Sequence, residues 1–378
     1  MAQPMLDTAE LVRALSIRDL TDPNQGPHAL QMVVEQVVAA LGAAWGCAIR
    51  RSRSNPIVTV ADNYDRLLYS RDATVRDARY SRYVCEDALL RTQTSSMIPP
   101  LLREIADEQA RDTLLVCAGL VYRRDCIDRL HTGEPHQIDL WRVRCGAPLS
   151  AADLLQMIDR VVSAVLPGAG WCVTAVEHPY TRDGLQIDVR CGAEWIEIGE
   201  CGLAHPEVLA AAGWPPDASG LAMGLGLDRL LMLRKGIDDI RLLRCAEPRV
   251  ARQMLDLEPY RPVSRMPPAW RDLSLVLDNP ANPEELGDAV RAELGADADL
   301  LESVTVLSNT PAAELATHVG DRLGIGAGQW NALVRVGLRA LDRTLTGAEC
   351  DDLRDRIYGA LHRGLKWYWI GAPRAPGA

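Results

Sequence analysis

Residues 219–241 read SGLAMGLGLDRLLMLRKGIDDIR, a glycine-rich strand pattern that runs into a helix carrying an Asp-Arg pair at its start. Gly220, Gly224 and Gly226 leave one face of the strand without side chains, so a flat ring can lie against the backbone. Leu227, Leu230, Leu231 and Leu233 continue at helical spacing, and Gly236 stands where a left-handed cap closes a helix. Arg229 falls in the first turn, where its planar fork can hold a phosphate or stack on a base. A buried strand packed on a helix, with Arg229 paired to an acid, satisfies the same spacing, because glycine patterns alone are weak signals.

Outward from this stretch the pattern is one of paired strands. LQIDVR (185–190) and EWIEIG (194–199) alternate and are joined by a tight turn through Gly192. LLVCAGLVY (114–122) is fully apolar, and QIDLWRVRC (137–145) alternates as its antiparallel partner. LQMVVEQVVAALGA (30–43) spaces its apolar residues as a long amphipathic helix. Antiparallel strands with flanking helices make an α+β architecture, not a doubly wound parallel one.

Five prolines between 246 and 269 interrupt regular structure and mark a linker. Beyond it come strand patterns at 270–278, 300–307 and 331–341 and helix patterns at 283–294 and 346–364, the last with Thr346 as N-cap. The order β-α-β-β-α is that of a small ferredoxin-like unit.

With 378 residues the chain has room for two domains. Its net charge of −10 argues against a protein that coats nucleic acid without specificity, although a local basic surface can still hold an RNA. Every basic residue except Lys235 and Lys366 is arginine. The ten cysteines form no C-x-x-C pair and read as reduced thiols, with no zinc set among them and the seven histidines. No apolar run reaches the length of a membrane span and no basic leader precedes one, so the expected place is the cytoplasm.

The 219–241 stretch resembles motif 3 of class II aminoacyl-tRNA synthetases, whose conserved arginine contacts ATP. LLRTQTS (89–95) and WIEIGECGLAHPEVL (195–209) are similar to the catalytic subunit of phenylalanyl-tRNA synthetases, and the passage through Pro56 into IVTVADNYDRL is similar to motif 1. Arg271-Asp272 and LDRTLTGAE (341–349) resemble the ferredoxin-fold anticodon-binding domain of that family. The resemblance covers nearly the whole chain. It implies a catalytic domain over residues 1–248, a Pro-rich linker over 249–268 and an anticodon-binding-like domain over 269–378. It also implies a ligase that uses ATP and Mg2+ to activate an aromatic amino acid, phenylalanine by default, and to transfer it to tRNA. The layout lacks a long coiled-coil arm and is similar to the single-chain type, which acts as a monomer; a homodimer is the alternative.

Activation joins a carboxylate to the α-phosphate of ATP and expels pyrophosphate, so arginines, magnesium and backbone donors carry most of the work. The resemblance assigns the catalytic roles to Arg123 and Arg229. It places ATP against both, together with His131, Pro135 and Glu197, with Glu197 as the magnesium ligand. Pro135 stands where the family has an adenine-stacking phenylalanine, and it can cover a ring without stacking as a π-system. The amino acid falls to Gln93, Ser95, Gln137, Asp139, His178, Tyr180 and Ala222, with Asp139 in place of the family's glutamate.

The pocket departs from the family in its rings. Phe-Pro-Phe becomes His178-Pro179-Tyr180, and Gly-Phe-Ala-Phe-Gly becomes Gly220-Leu221-Ala222-Met223-Gly224. One explanation is a substrate with a polar or hydroxylated ring, since a site built around a hydrogen bond rejects the analogue lacking it by about ten-thousandfold or more. The other is compositional: the chain contains no phenylalanine at all, while nine tyrosines remain. Selection for synthesis while phenylalanine charging is blocked would produce that absence, and stalling of this chain as early as ordinary proteins under phenylalanine starvation would refute it. Two further readings stand beside aminoacylation: a paralogue that passes its adenylate to a carrier or small molecule, and a non-catalytic sensor of amino acid or tRNA.

Overall fold

The computed structural model describes residues 5–106, 112–124, 126–263 and 266–366. Two compact units emerge, the first from residues 1–123 and 134–261 and the second from 124–133 and 262–378.

The first unit is built on a seven-stranded sheet. Its strands are β1 (Ala48–Ser52), β2 (Asp112–Leu120), β3 (His136–Cys145), β4 (Trp171–Ala175), β5 (Thr181–Cys191), β6 (Glu194–Ala204) and β7 (Ala218–Gly226), in the spatial order β1-β2-β3-β7-β6-β5-β4. Every neighbouring pair is antiparallel except β1 with β2. This is the large antiparallel sheet expected from the alternating patterns. Three helices, α1 (Ala29–Trp45), α2 (Ala151–Val165) and α3 (Leu227–Lys235), pack together and against it. In α1 the buried Leu30, Val33, Val34, Val37, Val38 and Leu41 recur every three or four residues. Burying each contributes up to about 1.5–3 kcal/mol, which outweighs the weak helix propensity of the four valines.

β7 carries the two-faced pattern of the opening stretch. Its residues pair with β3 on one side and β6 on the other, and Leu221, Met223 and Leu225 are buried. Gly220, Ala222 and Gly224 alternate with them on the opposite face. A Cβ on Gly199 of β6 would lie 2.1 Å from the Gly224 carbonyl oxygen, so only glycine permits these strands to approach as they do. Gly236, at φ +67°, closes α3 as the sequence predicts.

The segment after the helix is where expectation and structure part. The strand following α1 is Ala48–Ser52; IVT (57–59) lies instead in a separate three-stranded sheet with 83–85 and 88–90, and residues 60–63 are helical. The arginine-rich AIRRS lacks alternation because it sits at the sheet edge, paired on one side only. The proline-rich segment is likewise ordered as far as Tyr260. It contains a short helix at Pro248–Ala251, and the buried Lys235 ammonium donates to the Asp256 carboxylate and carbonyl, each at 2.9 Å, and to the Glu258 carbonyl.

In the second unit, β8 (Ala269–Leu277), α4 (Pro283–Leu294), β9 (Leu301–Pro311), β10 (Trp330–Leu338) and α5 (Gly347–Leu361) follow one another, with an extra helix at Thr317–Leu323 before β10. The antiparallel sheet has the order β8-β10-β9. Leu273, Leu275, Val290, Val334, Val336 and Ile357 centre its core. Thr346 caps α5 through a reciprocal capping box with Glu349. The last part of the expected domain, 367–378, lies outside the described residues. Among the described residues no helix is long and apolar enough to cross a membrane, and all ten cysteines are free.

Candidate active site

The face of the sheet presenting Gly220, Ala222 and Gly224 holds a buried carboxylate at its centre. Asp139 of β3 stands directly across from Gly224 of β7 and Cys117 of β2. Its Oδ2 accepts from Thr94 Oγ1 at 2.9 Å and Ser95 Oγ at 3.0 Å, and its Oδ1 from the Trp141 indole at 3.2 Å. Burial pushes Asp139 up to about 6, against the pull of these three donors and the Arg123 charge. A carboxylate held this way, ionised at neutral pH with a glycine facing it, can take an ammonium group.

Gln137 lies two residues from Asp139 on the same face, opposite Gly226. Gln93 donates to the Asn63 carbonyl at 3.0 Å and accepts from Tyr69 at 3.3 Å. Ala222 lies between Trp141 and Gly202 in register. Tyr180 immediately precedes β5 and packs on Trp141. Next to it, His178 Nε2 pairs with Glu200 at 2.6 Å. Five of the seven expected amino-acid residues thus lie on β3, β7 and the 93–95 turn, and Tyr180, with His178 beside it, meets them through Trp141.

Arg123 lies just beyond β2, its Nε donating to the Thr92 carbonyl at 2.8 Å and its own carbonyl accepting from Arg82 at 3.1 Å. Arg229 donates to the Glu197 carbonyl at 2.8 Å. The Glu197 side chain is exposed, and the residue stands opposite Asp188 in the ladder. Pro135 precedes β3 and accepts from the Val121 amide at 2.9 Å. The first unit gathers all of the expected residues except His131. That histidine belongs to the 124–133 segment of the second unit, where its Nδ1 lies 2.8 Å from Asp128. Burial raises Asp128, but the hydrogen bonds from His131 and Leu130 pull it down to about 2.

Leu221 and Met223 change meaning in three dimensions. Both are buried on the opposite face from Asp139 and Ala222, so two of the pocket departures read from sequence are core positions beneath the helices. His178 and Tyr180 remain on the pocket side.

Several members of the site escape sequence reasoning. Trp141 and Glu200 enter through sheet register, which single-strand patterns do not report. His136 and Asp228 sit beside the expected Gln137 and Arg229 but face the interior, at 0% and 5% exposure. His136 Nδ1 meets Asp228 Oδ1 at 2.8 Å, while its Nε2 accepts from Leu20 N–H at 3.1 Å and lies 3.1 Å from Arg244. The Asp-Arg pair of the opening stretch is therefore divided: Asp228 locks α3 to β3, and Arg229 reaches out to the Glu197 carbonyl.

Residues 18–254 match the family model described as the tRNA synthetases class II core domain (F). The phenylalanine-tRNA ligase alpha subunit of Prochlorococcus marinus is 30% identical over 241 residues, covering 62% of this chain and 69% of that one. The alpha subunit of Symbiobacterium thermophilum is 31% identical, covering 57% and 65%. The chloroplastic/mitochondrial phenylalanine-tRNA ligase of Arabidopsis thaliana is 25% identical over 324 residues, covering 82% of this chain and 70% of that one. The chain thus spans about two thirds of the length of these curated relatives.

Proposed function

The chain belongs to the class II core-domain family of tRNA synthetases, and on that premise we propose that it activates an aromatic amino acid, phenylalanine by default, with ATP and transfers it to a tRNA. The observation that carries this reading is the buried Asp139 facing Gly224, with Arg229 at the end of the same strand-helix stretch. In it, Asp139, Ser95, Gln93 and Gln137 hold the amino acid, and its carboxylate attacks the α-phosphate of ATP. Arg123 and Arg229 offset the charge that develops there, and pyrophosphate leaves. Pro135 covers the adenine.

Magnesium suits the exposed oxygen donors at Glu197, with Asp188 across the ladder. When bound it would neutralise phosphate charge.

The Arabidopsis match covers more of the chain than the first unit holds, so it extends into the second. This supports the second unit as the anticodon-binding-like domain and tRNA as the acceptor. The carrier-loading and sensor readings are not favoured, since the curated relatives named above are ligases. The acting form in this reading is the monomer, in the cytoplasm. Charging of a phenylalanine-accepting tRNA with labelled phenylalanine tests it. Adenylate formation with no transfer to any tRNA would refute the acceptor.

A further inference from the structure

Tyr180 is held at the centre of a cluster of rings. Its ring centroid lies 6.1 Å from Tyr69, 5.8 Å from His178 and 6.2 Å from Trp141, the last at an interplanar angle of 22°. Burial pushes the Tyr180 hydroxyl up, with Asp139 and Ser95 among the groups that act on it, and Ser95 donates to Asp139. The ring therefore lies from the start of β5 against Trp141, whose indole donates to Asp139 and whose partner in register is Ala222, the residue expected to lie under a substrate's ring.

Inserting a further ring face-on between two others needs about 7 Å or more, twice the ~3.5–4.0 Å contact distance between carbon atoms. None of the three separations around Tyr180 reaches that value. These are direct ring-ring contacts, not the walls of an open slot.

We propose that Tyr180 sets the amino-acid specificity of this pocket by filling the ring site itself, so that a substrate's aromatic ring binds only by displacing the tyrosine ring. The inference rests on the proposed placement of the amino acid against Asp139 and Ser95. Tyr180 acts as an internal competitor: the affinity for a ring-bearing amino acid is reduced by the fraction of time the tyrosine occupies the site. The contacts with Tyr69, Trp141 and His178 hold it there. A short side chain leaves Tyr180 in place and escapes this penalty.

The test is calorimetric binding of L-phenylalanine, without ATP, to the full chain and to two variants. Y180F keeps the competing ring and Y180L removes it, with the thermal midpoint checked for both proteins. The dissociation constant of Y180L for L-phenylalanine falls about tenfold or more below that of Y180F. Folded Y180L that binds L-phenylalanine no more tightly than Y180F overturns the proposal, as does failure of wild type and both variants to bind it. A chain that binds L-phenylalanine more tightly as Y180L, yet gives no pyrophosphate exchange, refutes the activation reading and leaves the role of Tyr180 standing.

Discussion

The two faces of β7 use the same nine residues for opposite ends. On one face Leu221, Met223 and Leu225 are buried where helices cover the sheet; on the other Ala222 is buried beside Trp141 while Gly224 faces the Asp139 carboxylate. The lost phenylalanines fall on both faces, and the contrast separates what they mean. Leu221 and Met223 are apolar fillers of similar volume, a change that cores accept at a cost below about 1.5 kcal/mol. His178 and Tyr180 bring polar groups to the ligand side, where each alters what can bind. A chain without phenylalanine therefore has a conventional core and an unconventional pocket.

The largest test of this contrast is Arg229→Ala. On the proposed reading it lowers pyrophosphate exchange by about 10²–10³-fold, the usual effect of losing one charge-stabilising donor, with amino-acid affinity unchanged. A fall in affinity of the same size would erase the division between nucleotide and amino-acid halves. Asp139→Asn comes next, weakening amino-acid binding by about 2–3 kcal/mol through loss of a charged hydrogen-bond partner. Wild-type affinity should also fall as pH drops below about 6, where Asp139 takes up a proton, and the Asn variant should show no such step. Met223→Phe probes the helix-covered face. It costs about 1–3 kcal/mol of stability by overpacking, read by urea unfolding, and leaves the ranking of amino acids in exchange assays as it was.

Stability against pH gives a subtler comparison. Burial holds His28 down at about 4, while its Nδ1 accepts from Leu30 N–H at 3.2 Å and its Nε2 lies 3.0 Å from the Leu243 carbonyl. The unfolded chain, titrating near 6.5, binds the extra proton, so this contribution is present above 6.5 and is lost as pH falls toward 4. Asp139 runs the other way. Its raised value means that stability is lost as pH rises from about 4 to 6. Urea titrations of His28→Asn should show the acid-side loss reduced, whereas Asp139→Asn should remove the opposite slope. The smallest effect is expected in the second unit: replacing both Arg271 and Arg335 by Ala should raise the KM for tRNA severalfold with exchange untouched, because exposed pairs such as Arg335 with Asp272 contribute little to stability.

The β7–α3 stretch was legible because strand alternation, helical spacing and the Gly236 cap are local properties. So were the hairpin turning at Gly192 and the cap at Thr346. Ala48–Ser52 was not, since an edge strand paired on one side has no two-faced pattern to display. The ordered stretch after Pro248 was hidden because what fixes it, the buried Lys235 reaching across from α3 and the burial of Val250 and Met254, is tertiary. Trp141, Glu200 and the His136–Asp228 pair become members of the site only through register and burial. The pocket side of His178 and the core side of Met223 look alike in sequence, and only the pairing of strands tells them apart.

Pyrophosphate exchange across the twenty amino acids, with wild type and Arg229→Ala run side by side, tests the central claim most directly. ATP-dependent exchange with an aromatic amino acid, phenylalanine first among them, and its collapse in Arg229→Ala is the predicted result. No exchange with any amino acid, or exchange indifferent to Arg229, would contradict it.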